Sequence, residues 1–516
     1  MTKNFLIFAF IAFLGIIPPA FGQTPTNPDS ALQTFLDQLQ GTPLTLNDAI
    51  QHALKNATSV RIAEAQYRAA RGAVRREGGF FDPELFFAYD YLDQEQPRAN
   101  PFAGSSINQS TAAAGLRLFL PTGTSLEASL NTIHTKSDAP FELLNPANTA
   151  FSNLTLRQPL LGGFHVSARK ELARAVQEFD AAKARYDYEE LTVSAEVERS
   201  YWDHYAAERD YAVQKLTHDR AEAFLRETEL RASTGLIGPN QVANARTFLA
   251  EQEILLLDRE EDLDRLSDQM ASLIGIRPDA GQHRFITVDD PPDEFPPADV
   301  DVLIQQAMEK NLSLQASNLD IEARRALSKA AWWEALPKVD LVGSFAGNGL
   351  LGTRQETQFG AAPPDREGNL GDAINEAIAW DFPTWNVGVE VSIPIGLRRG
   401  RGERDRLQAE VMIAEQVYVE QTRLLEELVR ANYRELYHGS RRLRAAREGV
   451  DAAQEQVRIG LIEFQNGRTT AFELVRLGED FAVAQQRYSQ ALVRTAKAAA
   501  TMRQLTSGEY AGATDR

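Results

Sequence analysis

Polar and apolar positions along the chain follow two alternating regimes, one with a helical period and one with a period of two. From Val166 to Ser233 neither Pro nor Gly interrupts the sequence. Within it Leu172, Val176, Phe179, Ala182, Tyr186, Val193, Val197, Tyr201 and Tyr205 recur at spacings of three, four or seven. That near-heptad stripe requires neighbouring helices. At about 1.5 Å per residue a straight helix of this span reaches roughly 100 Å, too tall for a compact core. Glu, Asp, Arg and Lys cover the other faces, so the helix packs sideways and meets water elsewhere. The break Gly235-Leu236-Ile237-Gly238-Pro239 ends the long helix (166–233) and a return helix follows over 240–273. An earlier helix, from Asp48 to about Glu77, is capped by Thr45 or Asn47 and stops at Gly78-Gly79.

From Pro83 the period changes to two. Leu85, Phe87, Tyr89 and Tyr91 share one face and Asp90 lies on the other. Leu116, Leu118 and Leu120 oppose Arg117; Leu126, Ala128 and Leu130 oppose Glu127; Leu154 and Leu156 oppose Arg157. The pattern predicts strands over 84–92, 111–120, 124–133 and 151–158, each with an apolar face and a face bearing charge. Transmembrane β-strands have this dyad, one side toward lipid and the other toward a watery lumen. In any single segment the same alternation more often marks an ordinary sandwich strand with one solvated face.

The chain then repeats itself. A slide of 254 residues sets Ile50 on Ile304, Ala53 on Ala307 and Pro83 on Pro337; a slide of 232 sets Tyr201 on Tyr433 and Gly235 on Gly467. The first repeat spans 44–274, a Pro- and Asp-rich linker 275–300, and the second repeat 301–506. The second holds a helix over 302–335, strands over 338–346 and 386–394, a long helix over 402–465 and a return helix over 470–505. Its strands again carry charge on one face, at Asp340 and Glu390. Gly347 to Trp385 reads as a long exposed loop, and 507–516 as a tail. Both repeats share one grammar of helix, strands, very long helix, tight turn and returning helix. The two shorter helices of a copy, stacked end to end, match the height of its long helix. Pro83, Pro159, Pro337 and Pro394 stand at the four helix–strand junctions. Trp332, Trp333, Trp380 and Trp385 flank the second pair of strands, as interfacial anchors do, although buried core tryptophans would read the same way.

Each repeat must begin and end its strands on one side of a membrane, so four plus two strands satisfies parity. Six strands cannot close a membrane barrel, since the smallest has about eight. Several chains must therefore share one, and three would give about eighteen strands and about twelve helical columns.

Composition narrows the class further. The 516 residues contain no Cys, which removes disulfides, thiolate metal sites and a lipoprotein acylation point. A net charge of −18 without a basic face disfavours nucleic acid. Lys3 and the apolar run Phe5–Ile17, followed by Ala20-Phe21-Gly22, predict a secretory signal over 1–22, with a mobile entry segment at 23–43 carrying one amphipathic turn around Leu32 to Leu39. No later run is long and apolar enough to be a spanning helix. The seven histidines include no close pair; His204, near Asp203 and Glu208, is the nearest approach to a ligand cluster. No phosphate loop, nucleophile elbow or HExxH motif is present, so neither an enzymatic activity nor a cofactor is expected.

The internal repeat, the stretch Gln158-Pro159-Leu160-Leu161-Gly162-Gly163 and the two turns together carry a resemblance to a known family. The turns read Thr234-Gly235-Leu236-Ile237 with Val242-Ala243-Asn244-Ala245-Arg246, and Asn466-Gly467-Arg468-Thr469-Thr470 with Phe472-Glu473-Leu474. Over essentially the whole mature chain the sequence resembles the TolC family of outer-membrane efflux proteins. The resemblance implies a membrane α+β fold: a homotrimeric outer-membrane β-barrel continued by an α-helical barrel across the periplasm. It implies an exit duct that meets a periplasmic adaptor and an inner-membrane transporter at helical tips, here Gly235, Leu236, Gly467 and Arg468. Where the family commonly places constriction carboxylates, this chain has Glu473 and then Arg476; the first repeat has Gln241 and Asn244. Asp90, Arg117, Glu127, Arg157, Asp340 and Glu390 are the candidate lumen charges. The family pattern has two strands per half, so the hairpin from Leu116 to Leu130 is additional; as an extracellular excursion it would return the barrel to twelve strands. The competing reading is a soluble periplasmic coiled-coil adaptor or structural protein, which would cluster its strands outside one helical hairpin.

Overall fold

The computed structural model describes residues 28–97, 104–235, 237–292, 295, 299–357, 360–466 and 468–510. The segment expected to be a secretory signal (1–22), Leu236 and Gly467 lie outside the described residues. The chain opens with helix α1 (Pro28–Gln38), strand β1 (Thr42–Leu44), α2 (Leu46–Asn56) and α3 (Thr58–Gly78). Four strands follow: β2 (Glu84–Glu95), β3 (Ser106–Phe119), β4 (Ser125–Ser137) and β5 (Leu144–Leu161). Next come the long α4 (Lys170–Ser233), α5 (Pro239–Ile274) and β6 (Phe285–Thr287). The second cycle is α6 (Val300–Lys310), α7 (Leu312–Glu334), β7 (Lys338–Arg354), β8 (Glu356–Thr357), β9 (Gly360–Ala361), α8 (Leu370–Ala379), β10 (Pro383–Ser392), α9 (Arg398–Gln465) and α10 (Ala471–Leu505).

The helices form a palisade. α4 holds 64 residues and α9 holds 68, so each is about 100 Å tall at 1.5 Å per residue. α2, α3 and α5 hold 11, 21 and 36 residues, which stacked end to end nearly equal α4. α6, α7 and α10 hold 11, 23 and 35, nearly equal to α9. α4 packs on α2, α3 and α5 along one side and on α7 and α10 along the other, and α6, α7 and α10 pack in turn on α9. Four columns therefore lie side by side, with the α3/α5 column and α9 at the two open edges.

The single short helices expected over 48–77 and 302–335 are each two helices. The chain breaks at Ala57 (ψ 129°) and Asn311 (ψ 117°), positions separated by the repeat offset. Asn311 explains its own break. Its side chain accepts from Leu314 N at 3.1 Å, capping α7, and donates to Leu505 O at 3.0 Å, tying the break to the end of α10. The side chain of Asn56 does the corresponding job, donating to Ile274 O at the end of α5. Asn competes with the helix for backbone partners, which is why it ends one helix and begins another.

At mid-height a parallel pair, β1 and β6, crosses α4. The Tyr201 hydroxyl donates to Leu44 O at 2.9 Å and accepts from Val288 N at 3.0 Å, while Glu208 accepts from Thr287 N at 2.7 Å. Tyr201, Trp202, Val197, Ile274 and Phe285 are buried together here. α1 lies against α4 lower down with Leu32 buried beside Ala212, Val213 and Ala482, so the part of the entry segment from 28 to 38 is packed helix rather than mobile chain.

Six strands make one antiparallel sheet, ordered β10-β7-β5-β4-β3-β2. The two repeats meet at β5–β7, so the sheet runs unbroken from one to the other, which is not how an adaptor sandwich is built. β3 and β4 pair over their whole lengths, from Ile107↔Ser137 to Phe119↔Ser125. Pro159 has no N–H to offer, and the β5–β7 register shifts there. The strand-to-helix turns after β5 and β10 both use a left-handed glycine, Gly162 (φ +73°) and Gly396 (φ +90°). At Gly162 a Cβ would also sit 2.9 Å from Pro337 O.

β5 and β7 extend well beyond the alternating stretches, to Leu144 and Arg354. The region expected to be one exposed loop, Gly347 to Trp385, thus contains the upper part of β7, the β8–β9 pair, α8 and the start of β10. The alternation fades there because Asn148, Ser152, Gly347 and Gly349 put small or polar groups on the apolar face.

Candidate functional site

The sheet has two chemically opposite faces. Leu85, Phe87, Tyr89 and Tyr91 on β2, and Val387, Val389 and Val391 on β10, are each at least 58% exposed. So much bare aliphatic and aromatic surface in two rows demands an apolar surrounding. On the opposite face Arg157 of β5 reaches two strands at once, its Nη2 lying 2.7 Å from Asp340 of β7 and 2.6 Å from Glu390 of β10. Arg117 of β3 donates from Nε to Glu127 of β4 at 3.1 Å and lies 4.1 Å over the Phe86 ring of β2. Asp90 is on this face as well, opposite Thr111. The candidate lumen charges therefore fall into two clusters, Arg117–Glu127 and Arg157–Asp340–Glu390, with Asp90 apart. Half-exposed ion pairs contribute only about 0–1 kcal/mol each, so the clusters set charge and orientation more than stability.

At the other end of the molecule the two helical hairpins turn. The α4–α5 turn uses Gly235 in the left-handed region (φ +76°), then Gly238 and Pro239 at the first turn of α5. Gln241 and Asn244 are exposed on the opening turns of α5. In the α9–α10 turn Arg468 N donates to Glu463 O at 2.9 Å. Thr470 caps α10 by accepting from Glu473 N at 3.3 Å. Glu473 thus sits in the first turn of α10, where the helix dipole favours a carboxylate. Its Oε1 lies 3.9 Å from Arg476 Nη1, with both side chains substantially exposed.

Contacts that the sequence did not advertise bind the two hairpins near their tips. The Phe224 and Phe472 rings are 6.2 Å apart, linking α4 to α10. Arg220 of α4 donates to Gly478 O of α10 at 3.4 Å, and burial pushes its guanidinium below the usual range. A Cβ at Gly478 would lie 2.8 Å from Arg220 Nη1, so the glycine makes room for the arginine. Only the absence of a side chain at Gly478 hinted at this. His204 is engaged structurally: its Nε2 is 2.9 Å from Phe285 O and 3.3 Å from Glu208 Oε1. Among the described residues no three His, Cys, Asp or Glu side chains converge as a metal site.

Two aligned stretches, residues 125–276 and 303–508, match the family described as outer membrane efflux protein. The fold is shared with solved outer-membrane channels. OprN matches at 16% identity over 93% of each chain with a TM-score of 0.60. VceC of Vibrio cholerae matches at 16% identity over 90% of this chain and 97% of its own, TM-score 0.61. The Neisseria gonorrhoeae MtrE channel, solved in its open state, matches at 15% identity over 90% and 89%, TM-score 0.61. No curated protein matches the chain in sequence. With an apolar-walled sheet at one end of a palisade about 100 Å tall, and a family match across both repeats, the chain belongs to the outer membrane efflux protein family and is an outer-membrane exit duct reaching into the periplasm, not an enzyme.

Proposed function

We propose that three copies close into one duct of eighteen strands and twelve helical columns, passing small molecules or secreted polypeptide delivered by an inner-membrane transporter through a periplasmic adaptor. The observation that carries this reading is that every open edge of the chain is apolar or unpaired. Among the described residues β2 and β10 have no partner on their outer sides. On the helical part, α9 exposes Met412, Ile413 and Leu424, and the opposite column exposes Ile62, Ile254 and Leu257. A neighbouring copy supplies what each edge lacks.

Circumference supports the strand count. Strands about 4.8 Å apart and tilted by about 40° each occupy about 6 Å of wall. Six of them subtend about 38 Å, and four helical columns spaced about 9–10 Å apart subtend nearly the same. Four strands would subtend only about 25 Å. The β3–β4 hairpin therefore belongs in the wall, where it lets the β-barrel sit on the helical barrel without a step in width.

In this duct the cargo diffuses through water and the energy comes from the partners. The tips at Gly235, Leu236, Gly467 and Arg468 meet the adaptor. Glu473 lines the narrow end, with Gln241 and Asn244 from the other hairpin; three copies make one ring of carboxylates, each beside an Arg476. Arg476 offsets much of that charge, so selectivity for cations is modest. In planar bilayers Glu473→Gln is expected to lower the preference for cations, and Arg476→Gln to raise it. Unchanged selectivity in both variants would remove these residues from the constriction.

A further inference from the structure

The face of the sheet opposite the charged clusters is not bare everywhere. Across β5 and β7 it carries α8. Ala150, Ser152 and Leu154 of β5 alternate with Phe151 and Asn153, and their partners across the strand pair are Gly349, Gly347 and Phe345. All six lie on the side of Leu156, opposite Arg157. α8 lies on this patch, with Ala373 and Ala377 fully buried against Ala150 and Leu351.

The two glycines are what allow the approach. A Cβ on Gly347 would stand 2.1 Å from Ala377 O, and one on Gly349 2.1 Å from Ala373 O. Polar atoms then fasten the helix. Ser152 Oγ donates to Ala377 O at 2.6 Å and accepts from Trp380 Nε1 at 3.1 Å, and Leu350 N donates to Glu376 at 3.2 Å. Trp380 closes the helix in the left-handed region (φ +58°), a conformation usually left to Gly, and its ring meets Phe345 edge-on at 4.8 Å. A tryptophan held there at a backbone cost has its ring position fixed by more than helix termination.

We infer that α8 is an interfacial helix lying on the outer wall of the barrel, with its Ile378, and Trp380 and Phe382 just past its end, immersed in outer-leaflet lipid at the boundary between headgroups and acyl chains. Those three side chains are 58%, 49% and 45% exposed and continue the apolar band formed by Trp385, Val387 and Val389. Asp372, also exposed, lies in the first turn at the other end of the helix, and exposed Asn375 lies at its middle. An amphipathic helix with Trp and Phe at its lower end seats in this way, and the Trp belongs at the headgroup level. Around Ala150 and Leu351 the strand surface beneath α8 also carries Thr132, Asn148 and Ser152, and the helix covers these polar groups. The inference rests on the sheet's apolar face meeting lipid.

Because the chain has no Cys, single cysteines report without background. Spin labels at Ile378→Cys, at Val389→Cys in the band and at Ser129→Cys on the lumen face are compared in liposomes for collision with oxygen and with a water-soluble nickel chelate. The expected oxygen-to-nickel ratio at 378 is several-fold above that at 129 and below that at 389. Adding Gly349→Val, which fills the slot, should make the 378 label nickel-accessible while the 389 label is unchanged. A 378 label that is nickel-accessible from the start, or shielded from both reagents by a neighbouring copy, overturns the inference. If the 389 label also fails to favour oxygen, the lipid-facing wall itself falls.

Discussion

Asp210, in the second half of α4, is a half-buried carboxyl with a cost. Burial pushes it up to about 6, with Arg259 and a hydrogen bond with Gln490 opposing, and its Oδ1 has no hydrogen-bond partner among the described residues. The folded value lies above the unfolded one of about 4, so as pH rises the unfolded chain ionises first. Stability contributed by this site is therefore greatest below about pH 4, falls between about 4 and 6, and stays lower above. Asp210→Asn is expected to raise Tm at pH 7.5 and to change it little at pH 4.5; equal shifts at both pH values would show that the carboxyl is not held protonated by the fold. Nothing in the sequence singled out Asp210, because a charge on a long helix usually faces water and only packing shows otherwise. The Glu473–Arg476 pair was legible, since residues three apart share a helix face. The Arg157–Asp340–Glu390 cluster was legible only as three charges on one sheet face. Which strands lie side by side is a long-range fact that alternation does not contain.

Among the elements, the long helices and six strands could be read from period alone, but the interruptions could not. Asn311 ends α6 and caps α7 within an otherwise helical stretch, and only its bond to Leu505 O makes the break pay. Asn311→Ala removes both bonds at a buried position and should cost about 1–3 kcal/mol, seen as a lower denaturation midpoint with unchanged oligomer on mild gels. A midpoint shift no larger than that of an exposed control such as Asn318→Ala on α7 would refute the role. α8 was hidden by the Gly, Pro and Asn around it. Its signals were present in the Asn369 and Asp372 capping box and in Ala373, Ile374, Ala377 and Ile378 at helical spacing. They are too short to outweigh a loop reading until Gly347 and Gly349 are seen to receive the helix.

For the whole molecule, the repeat and the matched helix heights already implied a tall duct, and the structure adds one continuous six-stranded sheet above four helical columns. In the trimer proposed above, six strands and four columns per chain subtend nearly equal arcs, which supports counting the hairpin absent from the commoner two-strand pattern as part of the wall. Charge placed on its lipid side should be costly. Val389→Lys is expected to lose about 2–4 kcal/mol if the side chain lies near the bilayer midplane, and to reduce recovery of heat-sensitive oligomer from outer membranes. Unimpaired assembly would place β10 away from lipid. The most direct measurement is a cryo-electron-microscopy reconstruction of the protein in lipid nanodiscs, sectioned through the β-barrel. A threefold ring of eighteen strands, with β2 of each copy beside β10 of the next, is the expected section. Twelve strands with residues 106–137 outside the wall, or a single copy closed on itself, would contradict it.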